Sequence, residues 1–181
     1  MYKNFKNCIS KRVDFSDTGK VHKKCTFHRQ KKEGSKMITY DTVKEIYNNN
    51  FSSERFYKRK DYPNLVYTDR VMDFVEVLNV HWVVDNVISY MQQVIKEFKE
   101  SKDTFFVVKI TLNQEKKGYM EVYREGFIGN DYHEHITVIK QDIPFIDLPL
   151  NPDDEITTCK FYLILSNYEP LQFTFMLPPE Y

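Results

Sequence analysis

The spacing of apolar positions changes once along this chain, near Ser101. Before that point apolar residues recur at helical intervals; after it they alternate. Val71, Phe74, Val75 and Leu78 stand at i, i+3, i+4 and i+7, and Thr68 ahead of them suits an N-cap. A second stripe of Val84, Val87, Ile88, Met91, Val94, Ile95 and Phe98 predicts a long helix over 81–100. Lys96, Glu97, Lys99 and Glu100 fall largely on its opposite face, in solvent. Two shorter helices are predicted upstream. One is capped by Thr39 or Asp41 and runs through Val43 to Asn48; the other is capped by Ser52 or Ser53 and runs through Phe56 and Tyr57. Pro63 then breaks the chain before Leu65.

Past Ser101 the alternation predicts strands over 104–112, 119–124, 132–143, 156–166 and 171–177. The first two are joined by a hairpin-type loop over 113–118. Leu163, Ile164 and Leu165 are apolar on both faces, which places their strand centrally. Pro144, Pro149 and Pro152 mark an extended connector. The order implies an α+β domain with three to four helices, then a mainly antiparallel sheet of about five strands. Helix 81–100 is expected to pack across one sheet face.

Charge divides the chain differently. The first 36 residues carry eleven Lys or Arg and three Asp or Glu, whereas the remaining 145 carry fifteen and twenty-three. The net charge of zero is thus a basic block set against an acidic body. Within the block, Val21, Lys23, Cys25 and Phe27 alternate with His22, Lys24, Thr26 and His28, and Gly19 sits in a short polar turn ahead of them. A basic β-hairpin and a short helix on Tyr2, Phe5, Ile9 and Val13 are the competing readings. The expected division is an N-terminal basic arm over 1–36 and one α+β domain over 37–181.

Composition removes several function classes. Five glycines are too few for a Gly-rich phosphate loop, and no apolar run approaches a membrane span. Residues 1–6 lack the apolar core of a signal peptide. Three cysteines, an odd number, do not form a disulfide framework, so a reducing cytoplasmic setting is expected.

No nucleophile elbow, Walker loop, dinucleotide fingerprint or His-Glu-x-x-His helix occurs. No catalytic residue and no cofactor are therefore expected. His22, Cys25 and His28, with Cys8 upstream, form the first metal-like cluster, but zinc sites favour ligands in tight pairs at both ends. A hairpin with one buried Cys and exposed His is the plainer reading. His133 and His135 form the second; they share one strand face about 6–7 Å apart and need further ligands. Cys159 reads as core. The arm suits a polyanion: Lys11, Arg12, Lys20, Lys23, Lys24, Arg29, Lys31 and Lys32 alternate with Phe15, Phe27, His22 and His28, able to neutralise phosphates and stack on bases. A solvated arm without a partner is the plain alternative.

Four stretches carry a resemblance: Tyr67-Thr68-Asp69, His81 through Tyr90, Ile143 through Leu150, and Leu177-Pro178-Pro179-Glu180-Tyr181. In this order they resemble an uncharacterised domain family of bacterial mobile elements and prophages, over about residues 38–181. Arg70 and Pro179 depart from the residues usual there. The resemblance implies no catalytic residue. It singles out Trp82, Asp85, Ser89 and Tyr90 on one side of a helix, with Asp85 expected to bond a Tyr hydroxyl or cap a turn in a buried polar pair. The context it implies is an accessory protein that binds a host defence system.

The sequence reading is therefore a binding protein without chemistry of its own. The leading expectation is an inhibitor of a host RNA-guided defence nuclease, an anti-CRISPR type of role, with that nuclease and its guide RNA as partners and no membrane. The alternative is an RNA- or DNA-binding accessory protein that uses the basic arm. A third reading is a metal-dependent hydrolase built on His133 and His135.

Overall fold

The structure is a computed structural model that describes residues 38–48, 53–128, 132–144 and 146–181, without the side chains of residues 127, 128 and 132–134. The basic arm, its hairpin and the cluster Cys8, His22, Cys25 and His28 lie outside the described residues.

Three α-helices precede most of the sheet: α1 (Tyr40–Asn48), α2 (Asp69–Val77) and α3 (Trp82–Ser101). Thr68 caps α2 as expected, its hydroxyl accepting from the Val71 amide at 3.3 Å. Asn79, in the left-handed region at φ 56°, ends that helix, and the Val80 amide reaches back to the Val75 carbonyl at 2.9 Å. This tight stop seats Val80 in the core and starts α3 two residues later. Glu97 departs from its expected place in solvent: it turns toward the sheet and pairs with Arg124 at 2.7 Å.

Among the described residues the sheet has seven strands rather than about five. They are β1 (Phe56–Lys58), β2 (Leu65–Thr68), β3 (Phe105–Asn113), β4 (Gly118–Ile128), β5 (Tyr132–Ile143), β6 (Ile156–Tyr168) and β7 (Leu171–Met176). Their order is β1-β2-β7-β6-β3-β4-β5. All five alternating segments are strands, and β6 is central, as the apolar run Leu163–Leu165 implies. The expected short helix through Phe56 and Tyr57 is instead β1, paired antiparallel to β2. β2 runs parallel to β7, which makes the sheet mixed. A three-residue strand shows too few alternations to register as one. Tyr57 stacks on Tyr67 across the pair at 5.9 Å, and this contact outweighs the weak capping signal of Ser52 and Ser53.

Register assigns every strand residue to a face. Phe106, Val108, Ile110, Leu112, Met120, Val122, Ile139, Cys159, Phe161, Leu163, Phe173 and Phe175 face the helices. They meet Val71, Phe74, Val75, Val84, Val87, Met91, Val94 and Phe98. Phe74 packs edge-on against Phe161 at 5.2 Å, and α3 crosses this face as expected. Cys159 is buried, which pushes its thiol up to about 12, as befits a packing residue. Tyr47 on α1 finishes the sheet below β7: its hydroxyl donates to the Lys160 carbonyl and accepts from the Lys160 amide at 2.7 Å. Burial raises the pKa of that hydroxyl. The described residues of the connector after β5 have no regular structure, yet they bury Ile146 and Leu148, and the Ile146 amide bonds the Lys116 carbonyl at 2.8 Å.

Candidate functional site: the outward face of the sheet

The alternate residues of the same strands point away from the helices. Val107 and Tyr123 are buried but stand outside the core that the helices share. They belong to a second layer of contacts on the opposite face, whose rows follow from register. One row runs Met176, Tyr162, Val107, Tyr123 and Thr137 across five strands. The next runs Lys160, Lys109, Glu121 and Lys140.

Two aromatic assemblies rise from this face. At one end Tyr181 rests on Phe105 at 5.5 Å and edge-on against Tyr162 at 5.7 Å, while remaining 78% exposed. Phe105 and Tyr162 themselves meet at 4.8 Å. At the other end the His135 imidazole stacks on Tyr123 at 3.9 Å, with 23° between the planes. His135 Nε2 lies 3.0 Å from Glu121 Oε1, which also accepts from the Thr137 hydroxyl at 2.6 Å. Burial pushes the Glu121 carboxyl up, but the bonds from Thr137 and His135, with the charges of His135 and Lys140, more than offset this and leave it below the ordinary value. Lys140 lies over the Tyr119 ring at 4.2 Å.

A β-bulge orients the second assembly. Val122 pairs with Ile139 but Tyr123 with Thr137, so Val138 is the extra residue on β5. Without that bulge His135 and Thr137 would turn toward the helices. Beyond β6 the same face opens into a cavity of about 360 Å³ lined by Phe56, Lys58, Val66, Ser166, Gln172 and Thr174 among others.

The expected site residues fall into three groups. Lys11, Arg12, Lys20, Lys23, Lys24, Arg29, Lys31, Lys32, His22, Cys25 and His28 lie outside the described residues. The backbone of His133 pairs with Phe127 and that of His135 with Glu125, on the edge strand. Among the described residues no group of three or more His, Cys, Asp or Glu could hold a metal ion.

The helical four differ from expectation. Trp82 and Tyr90 pack part-buried against the core, while Asp85 and Ser89 are exposed. Asp85 bonds neither a Tyr hydroxyl nor a buried partner: it pairs with Arg59, which also pairs with Asp61 at 2.6 Å. Hydrogen bonding to Asp61 raises the pKa of the Arg59 guanidinium, and the same bond lowers that of Asp61. Ser89 donates to the Asn86 carbonyl at 2.7 Å. Of the four, Asp85 ties α3 to the loop after β1, Ser89 bonds within its own helix, and Trp82 and Tyr90 pack against the core.

Neither Lys109 nor Lys160 stood out in sequence, because each is an ordinary outward lysine on its own strand. Their opposition exists only once β3 and β6 pair. The signal available in sequence was the wealth of Tyr and Phe at outward strand positions.

The described residues thus form an α+β fold with helices on one face of a seven-stranded mixed sheet and an aromatic, lysine-bearing face on the other. The chain belongs to the family of unknown function DUF6876, whose match spans residues 41–181 and so excludes the basic arm. No curated protein and no solved structure matches the chain. No helix among the described residues is long and apolar enough to cross a membrane.

Proposed function

We propose that this chain is a binding protein without chemistry of its own, that it works on a nucleic-acid-handling assembly, and that the assembly is a host RNA-guided defence nuclease inhibited by an accessory protein of a phage or mobile element. The observation that carries the binding part is the outward sheet face, where exposed aromatic rings and lysines stand together on a rigid scaffold. Binding surfaces favour Tyr because it offers a large, stiff contact area at small entropic cost. The pair with the most enzyme-like chemistry, Glu121 and His135, is satisfied internally, since one carboxylate oxygen takes both Thr137 and His135. That arrangement orients a ring rather than leaving a base open to substrate. The mobile-element context rests on the sequence resemblance, and the acidic body suits a cationic channel of such a nuclease.

The test is a cleavage assay. A reconstituted RNA-guided nuclease from the native host is titrated with the full chain, with co-purification of protein and guide RNA as a parallel readout. Loss of cleavage at near-equimolar chain, with the nuclease retained on it, supports the reading. Unaltered cleavage across the host's RNA-guided nucleases, with no nucleic-acid-handling complex retained, overturns it.

A further inference from the structure

We infer that the outward face of the sheet is a docking surface for single-stranded RNA, with Tyr181 and His135 as base-stacking platforms and Lys109 and Lys160 as phosphate contacts. The inference deepens the binding reading above by naming the ligand class and its residues.

Three observations converge on it. The first is the pair of platforms. Tyr181 is held from behind by Phe105 and Tyr162, and His135 by Tyr123 and the Glu121 bond, so each ring is fixed before any ligand arrives. Their outer surfaces are open: Tyr181 is 78% exposed and the His135 side chain 49%. A fixed aromatic plane facing solvent accepts the face of any unpaired base, whereas a duplex keeps its bases stacked inside.

The second observation is the pair of lysines in the row next to the one that joins the platforms. Lys109 on β3 and Lys160 on β6 sit directly opposite in the antiparallel register. Like charges in this position repel each other. Glu121 stands opposite Lys109 on its other side but is taken up by Thr137 and His135, and an anion bridging the two lysines would relieve their repulsion. The platforms rise from β6 with β3 and from β4 with β5, so roughly two or three strand spacings of about 4.8 Å separate them. A short extended strand laid across the sheet covers that span with its phosphates over the lysine row.

The third observation is how little of the acidic body reaches this face. Among the described strand side chains, the outward acids are Glu121, Glu125 and Asp142. Glu121 is buried and occupied by its bonds to Thr137 and His135. Lys58, Lys109, Lys140 and Lys160 share the face with them, so a phosphate backbone meets a neutral to positive strip on an otherwise acidic domain. Ribose is favoured over deoxyribose because Thr158 and Asp142, exposed in the row beside the lysines, offer acceptors for a 2′-hydroxyl.

The test uses the full chain and a labelled eight-nucleotide oligouridine, with the same sequence as DNA and a duplex as comparisons. Fluorescence anisotropy is read from low to moderate salt. The expected result is tighter binding of the RNA than of either comparison, weakening steeply with salt. The joint change Lys109→Ser and Lys160→Ser lowers affinity roughly tenfold and makes the salt slope shallower by roughly 1–1.5. His135→Ala and Tyr181→Ala each lower affinity roughly five- to tenfold with that slope unchanged. Thermal melts of the variants establish that each remains folded under the binding conditions, so that a lost affinity is read from folded protein. The inference is overturned if duplex or DNA binds as tightly as RNA. It is equally overturned if these changes leave RNA binding intact while Lys23→Glu with Lys24→Glu abolishes it, which assigns binding to the arm. If the face variants lose nuclease inhibition and the chain shows no RNA affinity, the face serves a protein partner; the RNA inference then fails while the binding function stands.

Discussion

The Thr68 hydroxyl donates to Glu180 Oε2 at 2.9 Å while accepting from the Val71 amide at 3.3 Å. One threonine thus caps α2 and clasps the C-terminal segment, which sits 112 residues away in sequence. Glu180 completes the clasp by accepting from the Leu177 amide at 2.7 Å and from the Ser53 hydroxyl. The 3-10 turn Pro178–Glu180 is thereby fixed, and Tyr181 is set down on Phe105 and Tyr162. The Tyr-Thr-Asp and Leu-Pro-x-Glu-Tyr stretches are two halves of one contact.

Because the two side chains share one network, their losses should not add. Thr68→Ala is expected to cost about 1–2 kcal/mol, the usual scale for a lost N-cap. Glu180→Ala is expected to cost about 1–3 kcal/mol. The double variant should fall short of the sum by at least about 0.5 kcal/mol, read from urea unfolding. Strict additivity would mean the clasp is not a coupled unit.

The pairing of Arg59 with Asp85 predicts a contrasting result. Asp85 is exposed, so Asp85→Ala should cost less than about 1 kcal/mol and the loss should shrink as salt is raised. Trp82→Ala, which empties a part-buried site against the core, should cost about 2–3 kcal/mol and ignore salt. Equal losses at the two positions would contradict this division between packing and surface charge.

Gly118 is required by space. A Cβ there would lie 1.8 Å from the Thr111 carbonyl oxygen, a backbone atom that cannot move without breaking the β3–β4 pairing. Gly118→Ala should destabilise by about 1–3 kcal/mol or more, measured by thermal unfolding. Gly126 is the control: its Cβ would meet the tip of the Ile136 side chain at 2.6 Å, which can turn aside. Gly126→Ala should therefore be the milder change.

The lowered pKa of Glu121 fixes the sign of a pH dependence. A carboxyl held below its ordinary value in the folded state contributes stability that is present above the unfolded value of 4.5 and lost as pH falls through the folded value. Acid titration of the parent should therefore show a steeper loss of unfolding free energy below pH 4.5 than titration of Glu121→Gln. Parallel curves for the two proteins would show that the bonds from Thr137 and His135 do not favour the carboxylate.

Much of this architecture is legible in the sequence alone. The stripes of α2 and α3, the cap at Thr68, the five alternating strands and the central place of Leu163–Leu165 all rest on local period, which neighbouring residues carry within themselves. β1 and β2 were not legible, because strands of three and four residues hold too few alternations and earn their pairing from β7, more than a hundred residues away. The outward face was hidden for the same reason: its rows join β7, β6, β3, β4 and β5, and no local pattern states which strands are neighbours. The bulge that turns His135 onto Tyr123 is likewise a property of pairing, not of either strand alone. Asp85 misled because three- and four-residue spacing reports a shared helix face without telling whether that face is buried.

The central claim is that the chain grips its partner through the sheet face opposite the helices, and photo-crosslinking tests it most directly. The full chain is irradiated with an oligouridine carrying 4-thiouridine, and the adducts are mapped by mass spectrometry. The account predicts adducts on Tyr181 and His135 and on peptides of β3 and β6 that contain Lys109 and Lys160. Adducts confined to α3 or to residues 1–36, with the outward strand positions unmodified, would contradict it.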